Sequence, residues 1–342
     1  MQIMKTQAIL GDISTIAVVR TDRLGDMVLT LPMCSAIKEI LPSAKVVLIA
    51  RNYVKPLLYE CDVIDSAVFI EDFKNDFVEI FSFVRPQAVF FPRPRFNEVF
   101  GAFKANVPIR IGTAYRIYSI LFTHKIKEHR KISLFNEAEY NVHMVETFFD
   151  QQVEFRYIPI KVNPEAKEKV YGLLKTLNID VNNFIVLHPG SGGSTKVWPV
   201  QFFGELAQIL LKNGYDVVLT GSKFESQLAK IISQNAPQII NLIGRLDLYE
   251  TIALLSIARG FVSNSTGILH IASVLGIPTV GLFPNTPHLS AKRWGPIGPL
   301  STTISPQTTD PGKIDDMTLI PPLTVYNELV SLISRKMGKG AS

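Results

Sequence analysis

Short apolar runs alternate with segments of helical periodicity along most of the chain. In the first half, β-branched and aliphatic runs predict buried strands. These predicted strands are residues 15–19, 46–49, 63–70 and 88–91. Residues 33–41 carry apolar side chains at helical spacing between Pro32 and Pro42, which predicts a helix between the first two strands.

The pattern restarts after Lys161. The predicted strands of the second half are residues 184–187, 217–220, 260–263 and 279–282. The predicted helices are residues 164–177, 199–212, 224–233, 248–258 and 267–275. A last amphipathic helix is predicted at 325–337, and we expect it to pack back on the first half.

This alternation predicts an α/β protein built from two Rossmann-like, doubly wound parallel sheets. The length of 342 residues suits two domains, which we place at 1–160 and 161–342. Ligands of such sheets bind beyond the carboxyl ends of the strands. We therefore expect a central cleft that the two domains face, lined by the polar loops that follow the strands.

Composition narrows the class of protein. With 47% hydrophobic and 19% charged residues, the chain is globular rather than disordered. No apolar run approaches the ~20 residues that span a bilayer, and the N-terminus lacks the apolar stretch of a signal peptide, so we expect a cytoplasmic protein. The two cysteines, Cys34 and Cys61, lie in apolar segments and predict core positions rather than a disulfide or a thiolate metal site.

Positive charge is concentrated between Arg85 and Lys131. Ten lysines and arginines lie in this segment, opposed by Glu98 and Glu128 alone. One interpretation is an ordinary solvated surface. The other is a docking face for an anionic acceptor or an acidic membrane surface. Nucleic acid is not an expected partner, because no nucleic-acid-binding motif accompanies the charge.

The loop at 188–199 reads HPGSGGSTKVWP and lies between a predicted strand and a predicted helix. Its glycines, including Gly192, let backbone N–H groups approach an anion. The expected hydroxyl donors are Ser191, Ser194 and Thr195. Lys196 adds a positive charge at the entrance of the helix, where phosphate is favoured. The alternative is a flexible connection with no ligand.

A second loop, SNSTGILH at 263–270, offers a helix start capped by Ser265 or Thr266. The N–H groups of the first turn suit a diphosphate. His270 lies one turn further on, although a lone histidine is more often structural than functional.

Carboxylates occupy two further loops. In RTDRLGD at 20–26, Asp26 is a candidate general base and Asp22 competes with it. Glu225 lies at a strand-to-helix junction, where it could accept ribose hydroxyls or stabilise a helix start. The six histidines are scattered and no D-x-D pair occurs, so we expect no metal site and no cofactor beyond a nucleotide-sugar substrate.

These loops, in this order, resemble the heptosyltransferases of glycosyltransferase family 9, which build the inner core of bacterial lipopolysaccharide. The resemblance runs from about residue 16 to 296. It rests on the segments RTDRLGD, LHPGSGGSTKVWP, VVLTGSKFE, SNSTGILH and KRWGP.

The resemblance implies a GT-B fold and an inverting, metal-independent transfer from ADP-heptose to an anionic glycolipid acceptor, with peripheral contact to the inner membrane. It implies that Asp26 is the general base and that Lys196 contacts the donor diphosphate. The donor-binding residues it implies are Ser191, Gly192, Lys196, Glu225, Ser265, Thr266, Gly267 and His270. The acceptor-binding candidates in the basic segment are Arg93, Arg95, Arg110 and Arg116.

One position departs from the family pattern. The family usually has an aspartate, which contacts the donor sugar, where this chain has Ser265. A hydroxyl loses the stronger charge-assisted hydrogen bonds. The donor could therefore be a different sugar, and the chain could also be a non-catalytic nucleotide-sugar-binding module or, as a third hypothesis, an isomerase.

Overall fold

The computed structural model describes residues 13–193 and 196–339. The chain divides into two compact units, Met1–Ile158 and Pro159–Ser342. The boundary predicted at residue 160 falls two residues beyond this division. Ser194 and Thr195, two of the expected hydroxyl donors, lie outside the described residues.

The first unit is a parallel six-stranded sheet with helices between the strands. Its strands are β1 (Thr15–Arg20), β2 (Lys45–Ala50), β3 (Ser66–Phe69), β4 (Ala88–Phe90), β5 (Ile109–Thr113) and β6 (His124–Ile126). Its helices are α1 (Leu24–Val28), α2 (Leu31–Ile40), α3 (Phe77–Val84), α4 (Phe96–Lys104) and α5 (Glu137–Phe149). Short 3-10 helices lie at Asn52–Leu58, Ile70–Phe73, Ile117–Leu121 and Arg130–Ile132.

The strand order in this sheet is β3-β2-β1-β4-β5-β6. The order reverses between β1 and β4, which pair in parallel through Ile16–Ala88 and Val18–Phe90. Loops that leave two neighbouring strands at such a switch point diverge and leave room for a ligand. The loop at 20–26, which follows β1, therefore lies where the sequence predicts a site.

The second unit repeats this plan. Its strands are β7 (Phe184–His188), β8 (Asp216–Leu219), β9 (Ile240–Asn241), β10 (Gly260–Asn264), β11 (Thr279–Leu282) and β12 (Ser301–Ile304). Its helices are α6 (Pro164–Thr176), α7 (Val200–Lys212), α8 (Ser226–Asn235), α9 (Leu248–Ile257), α10 (Gly267–Val274), α11 (Ala291–Trp294) and α12 (Pro322–Lys339). Further 3-10 helices lie at Lys223–Glu225, Pro311–Lys313 and Met317–Leu319.

The second sheet is also parallel throughout, with the order β12-β11-β10-β7-β8-β9. Its switch point lies between β7 and β10, which pair through Val186–Phe261 and His188–Ser263. The loops at 188–199 and 263–270 leave these two strands. The structure therefore brings together two segments that are far apart in the sequence.

The C-terminal helix α12 contributes to the core of its own unit. Its buried side chains Val325, Leu329 and Leu332 belong to the core of the second unit. That it also packs on the first unit stays a prediction. The indole Nε1 of Trp198 donates to the Ile320 carbonyl at 2.9 Å just before this helix. The apolar stripe that predicted the helix is thus used within its own unit.

Cys34 is buried and Cys61 is half-buried. None of the described helices combines the length and the apolar character that crossing a bilayer requires.

Candidate active site

A buried arginine organises the switch point of the first unit. Arg20, the last residue of β1, has 1% of its surface exposed. Its Nε lies 2.7 Å from Oδ1 of Asp22, its Nη2 contacts Asp26, and its Nη1 lies 3.5 Å from Oε1 of Glu137. A buried cation needs negatively charged partners. Here three carboxylates surround one guanidinium.

Asp26 lies in the first turn of α1, where the helix dipole favours a carboxylate. It is 8% exposed. Its backbone carbonyl accepts a hydrogen bond of 2.7 Å from the Thr30 hydroxyl. Two residues close in sequence therefore hold the predicted base: Thr30 contacts the backbone of Asp26 and Arg20 contacts its side chain.

The two aspartates of this loop differ in their pKa shifts. Burial raises the pKa of Asp26, helped by the charges of Asp22 and Glu137, and the opposing charge of Arg20 does not cancel this rise. Burial also acts to raise the pKa of Asp22, but the charges of Arg20 and Arg93 outweigh it and the pKa is lowered. A raised pKa makes a carboxylate a stronger proton acceptor, so of these two carboxylates Asp26 is the better suited to accept a proton.

A further layer of side chains supports this cluster. Glu137 begins α5 and accepts a hydrogen bond of 2.8 Å from Nη1 of Arg130. The same Nη1 lies 2.8 Å from Oδ1 of Asn141, whose Nδ2 donates to the Leu29 carbonyl at 2.9 Å. Glu137 and Asn141 were not among the predicted site residues. A single sequence offered no direct signal for them, because α5 lies more than a hundred residues after α1.

The loop after β4 is tied to the loop after β1. Nη1 of Arg93 lies 2.7 Å from Oδ2 of Asp22, and the Thr21 hydroxyl donates to the buried Glu98. Glu98 also accepts a hydrogen bond of 3.0 Å from the backbone N–H of Arg95. Of the acceptor-binding candidates, Arg93 therefore lies beside the carboxylate cluster with its side chain 54% exposed.

Arg110 and Arg116 lie in different settings. Nε of Arg110 donates to the Leu121 carbonyl at 2.7 Å, and Nη1 donates to the Val107 carbonyl. Burial lowers the pKa of Arg110. These contacts give Arg110 a structural part in bracing the loops around β5, whereas Arg116 is exposed.

In the second unit, Glu225 closes the glycine-rich loop. It accepts hydrogen bonds from the Ser222 N–H at 2.8 Å and the Ser222 hydroxyl at 2.9 Å. It also accepts one of 3.4 Å from the Gly192 N–H. A Cβ on Gly190 would lie 1.9 Å from Oε1 of Glu225, so any side chain at this position would require the Glu225 carboxylate to move. Burial acts to raise the pKa of Glu225, but these hydrogen bonds outweigh it and the pKa is lowered.

These contacts match the interpretation in which Glu225 stabilises a helix start, since Ser222 and Glu225 form a capping box on the 3-10 helix Lys223–Glu225. The carboxylate remains half exposed. Its contact with ribose stays a prediction.

Lys196 is exposed and lies toward the C-terminal end of the same loop. Its charge is among those that lower the pKa of Asp315, whose Oδ1 accepts a hydrogen bond of 2.8 Å from the Thr286 N–H. The Ser191 hydroxyl accepts a hydrogen bond of 3.2 Å from the Gly193 N–H.

Asn264, which was not among the predicted site residues, connects the two loops of this switch point. It ends β10 and is fully buried. Its Nδ2 donates to the Pro189 carbonyl at 2.7 Å, and its Oδ1 accepts from the Trp198 N–H at 2.8 Å. One side chain thus holds both ends of the glycine-rich loop. The signal that could have revealed it is the Ser-Asn pair at the carboxyl end of this buried strand.

The start of α10 has the expected cap. The Thr266 hydroxyl accepts a hydrogen bond of 3.2 Å from the Leu269 N–H, directly before Gly267 begins the helix. Ser265 donates its backbone N–H to the Leu282 carbonyl at 3.2 Å. The next polar side chain, His270, is buried, and its Nδ1 has no hydrogen-bond partner among the described residues.

Two buried histidines of this unit, His188 and His270, have lowered pKa values. Burial lowers the pKa of His270 to about 4. His188, at the end of β7, has a pKa lowered by burial to about 4 and lies 3.0 Å from the Thr220 hydroxyl. A neutral imidazole can orient a ligand by hydrogen bonding. Within the described part of the chain, no group of three His, Cys, Asp or Glu side chains could hold a metal ion.

Comparison with known proteins now decides the family. The sequence model for glycosyltransferase family 9, the heptosyltransferase family, matches residues 108–317. The chain belongs to glycosyltransferase family 9. It is therefore a glycosyltransferase of the heptosyltransferase type.

Relatives of this family 9 chain cover most of its length. A Haemophilus influenzae protein named only as a glycosyltransferase is 29% identical, with 85% of this chain and 88% of the relative covered. Lipooligosaccharide heptosyltransferase 2 of Haemophilus ducreyi is 25% identical over 75% of this chain and 78% of the relative.

Solved structures agree with the fold. The structure of Escherichia coli ADP-heptose lipopolysaccharide heptosyltransferase II superposes with a TM-score of 0.79 at 20% identity, covering 94% of this chain and 99% of that one. Two parallel-sheet α/β units of this kind are the GT-B architecture that the family resemblance implied.

Proposed function

We propose that this family 9 enzyme transfers a heptose, or a closely related sugar, from an ADP-sugar to an anionic glycan of the lipopolysaccharide-core type. The second unit binds the donor and the first unit binds the acceptor. The transfer inverts the anomeric centre and needs no metal, and it takes place at the cytoplasmic face of the inner membrane.

The observation that carries this proposal is the state of Asp26. This carboxylate lies at the switch point of the first unit, its pKa is raised by burial, and Arg20 holds it in place. In an inverting transfer, a base removes the proton of the acceptor hydroxyl as that oxygen attacks the sugar C1, and the nucleotide diphosphate leaves from the opposite side. Asp26 is suited to take that proton.

The donor site is supported by the second switch point. The capped start of α10 presents N–H groups to a diphosphate, and Lys196 adds a positive charge that stabilises the leaving group. His270 has a buried Nδ1 without a partner among the described residues. An oxygen of the bound nucleotide-sugar could form a hydrogen bond with this atom after a small rearrangement. The similar Escherichia coli protein is an ADP-heptose lipopolysaccharide heptosyltransferase, which supports ADP as the nucleotide.

Replacement of the base tests the mechanism. Asp26→Asn is expected to reduce transfer by about 10²- to 10⁴-fold, because general-base catalysis contributes that much, while ADP affinity stays unchanged. Asp22→Asn is the matched comparison, since both carboxylates contact Arg20. A loss in Asp22→Asn that equals or exceeds the loss in Asp26→Asn contradicts the assignment.

Calorimetric titration with ADP, UDP, GDP and ADP-heptose, in the presence of a chelator, tests the donor. Preference for ADP, strengthened by the heptose, supports the proposal. Ser265 favours a second candidate, a transferase with another donor sugar, because the family's usual carboxylate is replaced by a hydroxyl. If that candidate is correct, the protein binds ADP-heptose more weakly than ADP. Ser265→Asp should then bind ADP-heptose more tightly than ADP.

A further inference from the structure

An apolar patch is exposed on the first unit, on the side of α4 that is turned away from the core. The helix buries Val99 and Ala102 completely, whereas Phe96, Phe100 and Phe103 are 56%, 38% and 43% exposed. The three phenylalanines follow one another at helical spacing, and the rings of Phe96 and Phe100 stack at 5.5 Å. They form a continuous aromatic stripe that the core does not use.

The 3-10 helix Ile117–Leu121 extends this stripe. Ile117 is 102% exposed and Ile120 is 81% exposed. The ring of Tyr118, in the same 3-10 helix, packs edge-on against Phe96 at 5.8 Å. Contiguous apolar surface of this kind on a soluble protein usually marks an interaction site. We define the α4 patch as Phe96, Phe100, Phe103, Ile117 and Ile120.

The charges around the α4 patch are positive. Nζ of Lys104 lies 5.5 Å from the centre of the Phe100 ring, and the exposed Arg116 directly precedes Ile117. The acidic residues between 93 and 131 are Glu98 and Glu128. Glu98 is buried, and Glu128 lies 2.8 Å from His143. No acidic side chain of this segment therefore neutralises the cations at the patch.

We propose that the α4 patch binds the surface of an anionic phospholipid bilayer. The isoleucines and phenylalanines enter the boundary between headgroups and acyl chains, where aromatic side chains are favoured. Lys104 and Arg116 contact lipid phosphates. This inference deepens the proposed function, because an enzyme with a glycolipid acceptor must work at a membrane surface.

The charge pattern favours a bilayer over a second copy of the chain. In a two-fold dimer the same patch meets itself, so Lys104 and Arg116 of one copy would lie near the same cations of the other. A bilayer of anionic lipid offers both apolar depth and opposite charge.

Vesicle flotation tests the proposal with the full chain. Vesicles of phosphatidylglycerol and phosphatidylcholine should carry the protein upward, and pure phosphatidylcholine vesicles should carry at least tenfold less. Ile117→Ser/Ile120→Ser should lower the vesicle-bound fraction tenfold or more, because both side chains are exposed and their loss leaves the core intact. Leu323→Ser is the matched control, an exposed leucine of the second unit, and should float like the wild type.

Lys104→Gln and raised salt test the charge contribution, and both should weaken flotation. Equal flotation of Ile117→Ser/Ile120→Ser and the wild type overturns the proposal, as does equal binding to neutral and anionic vesicles. Light scattering in solution adds a third arm. If the double variant converts a dimer to a monomer without changing flotation, the patch is a contact between copies and the proposal is wrong.

Activity separates this inference from the proposed function. The double variant should keep wild-type transfer to a detergent-dispersed acceptor, because it leaves the Asp26 cluster untouched. If the wild type floats normally but transfers no sugar from any donor, the proposed function is wrong and the membrane site is retained. If it transfers sugar normally but does not float, the membrane site is wrong and the proposed function is retained.

Discussion

At the scale of single residues, Arg20 organises the carboxylates at the switch point of the first unit. Its contacts with Asp22, Asp26 and Glu137 place three negative charges around one buried positive charge. The pKa of Asp26 is therefore set by several neighbours as well as by burial. A change in one neighbour should be visible in the pH dependence of the reaction.

Glu137→Gln removes a negative charge that raises the pKa of Asp26. The pKa should fall, and because the base acts when deprotonated, the acid limb of kcat/KM should move to lower pH. Glu139→Gln lies on the same helix, where Glu139 accepts from the Asn136 N–H at 2.7 Å, and should leave that limb in place. A pH profile of each variant decides the matter, and equal profiles would show that Glu137 does not tune the base.

His188 makes stability depend on pH. Its pKa in the folded protein is lowered to about 4, while the unfolded chain has the ordinary value of about 6.5. Between these values the unfolded state binds more protons, so the free energy of unfolding decreases as the pH falls from about 6.5 to 4. The decrease due to His188 approaches ~1.4 kcal/mol per pH unit and ends below pH 4.

His188→Gln should remove this part of the slope, measured by urea unfolding between pH 5 and 7. The dependence due to His270, whose pKa is also about 4, should remain in the variant. Parallel curves for the variant and the wild type would mean that His188 titrates normally.

At the scale of elements, each unit places two loops at its switch point and then ties them together. In the first unit Arg93 and Glu98 connect the loop after β4 to the loop after β1. In the second unit Asn264 connects the end of β10 to both ends of the loop after β7. The same strand order thus gives the same solution with different side chains.

Asn264→Ala tests the connection in the second unit. The Trp198 N–H and the Pro189 carbonyl would lose their partner, and each buried group left unpaired costs about 1–3 kcal/mol. ADP affinity should also fall, because the glycine-rich loop loses both anchors. Asn213→Ala, which removes an exposed hydrogen bond of 2.8 Å to the Ile209 carbonyl, should change stability by less than about 0.5 kcal/mol. Similar losses in both variants would argue against the anchoring role.

The whole molecule consists of two units with separate cores. Trp198, Phe203 and Leu329 belong to the core of the second unit, and Phe81, Phe91 and Phe122 belong to a core of the first. A nucleotide bound by the second unit stabilises that unit by mass action. The bound nucleotide does not directly stabilise the strands of the first unit.

Hydrogen exchange with and without ADP tests this division of labour. At a hundred times its Kd, ADP stabilises the unit that binds it by ~2.7 kcal/mol. Exchange should therefore slow in β7, β10 and the start of α10, and stay unchanged in β1 and β4. If ADP instead slows exchange first in the loop at 20–26, the nucleotide binds the first unit and our assignment of the donor to the second unit is wrong.

The sequence by itself determined the alternation of strands and helices and the loops that carry the chemistry. Apolar runs such as 184–187 and 279–282 are local signals, and the structure has strands there. The predicted strand at 63–70 is shorter, Ser66–Phe69, because the chain turns into a 3-10 helix at Ile70. Strands β5, β6, β9 and β12 escaped prediction. Arg110 and the threonines of 301–304 interrupt the apolar pattern of β5 and β12, and β6 and β9 have only three and two residues.

Only the tertiary structure decided which side chains meet. Asn141 reaches the Leu29 carbonyl across 112 positions of the sequence, Thr21 reaches Glu98 across 77, and Trp198 reaches Asn264 across 66. No local pattern encodes such pairs, because they form when two distant strands become neighbours at a switch point. The distinction between Asp22 and Asp26 belongs to the same class, since their pKa shifts depend on burial and on charges that folding brings near.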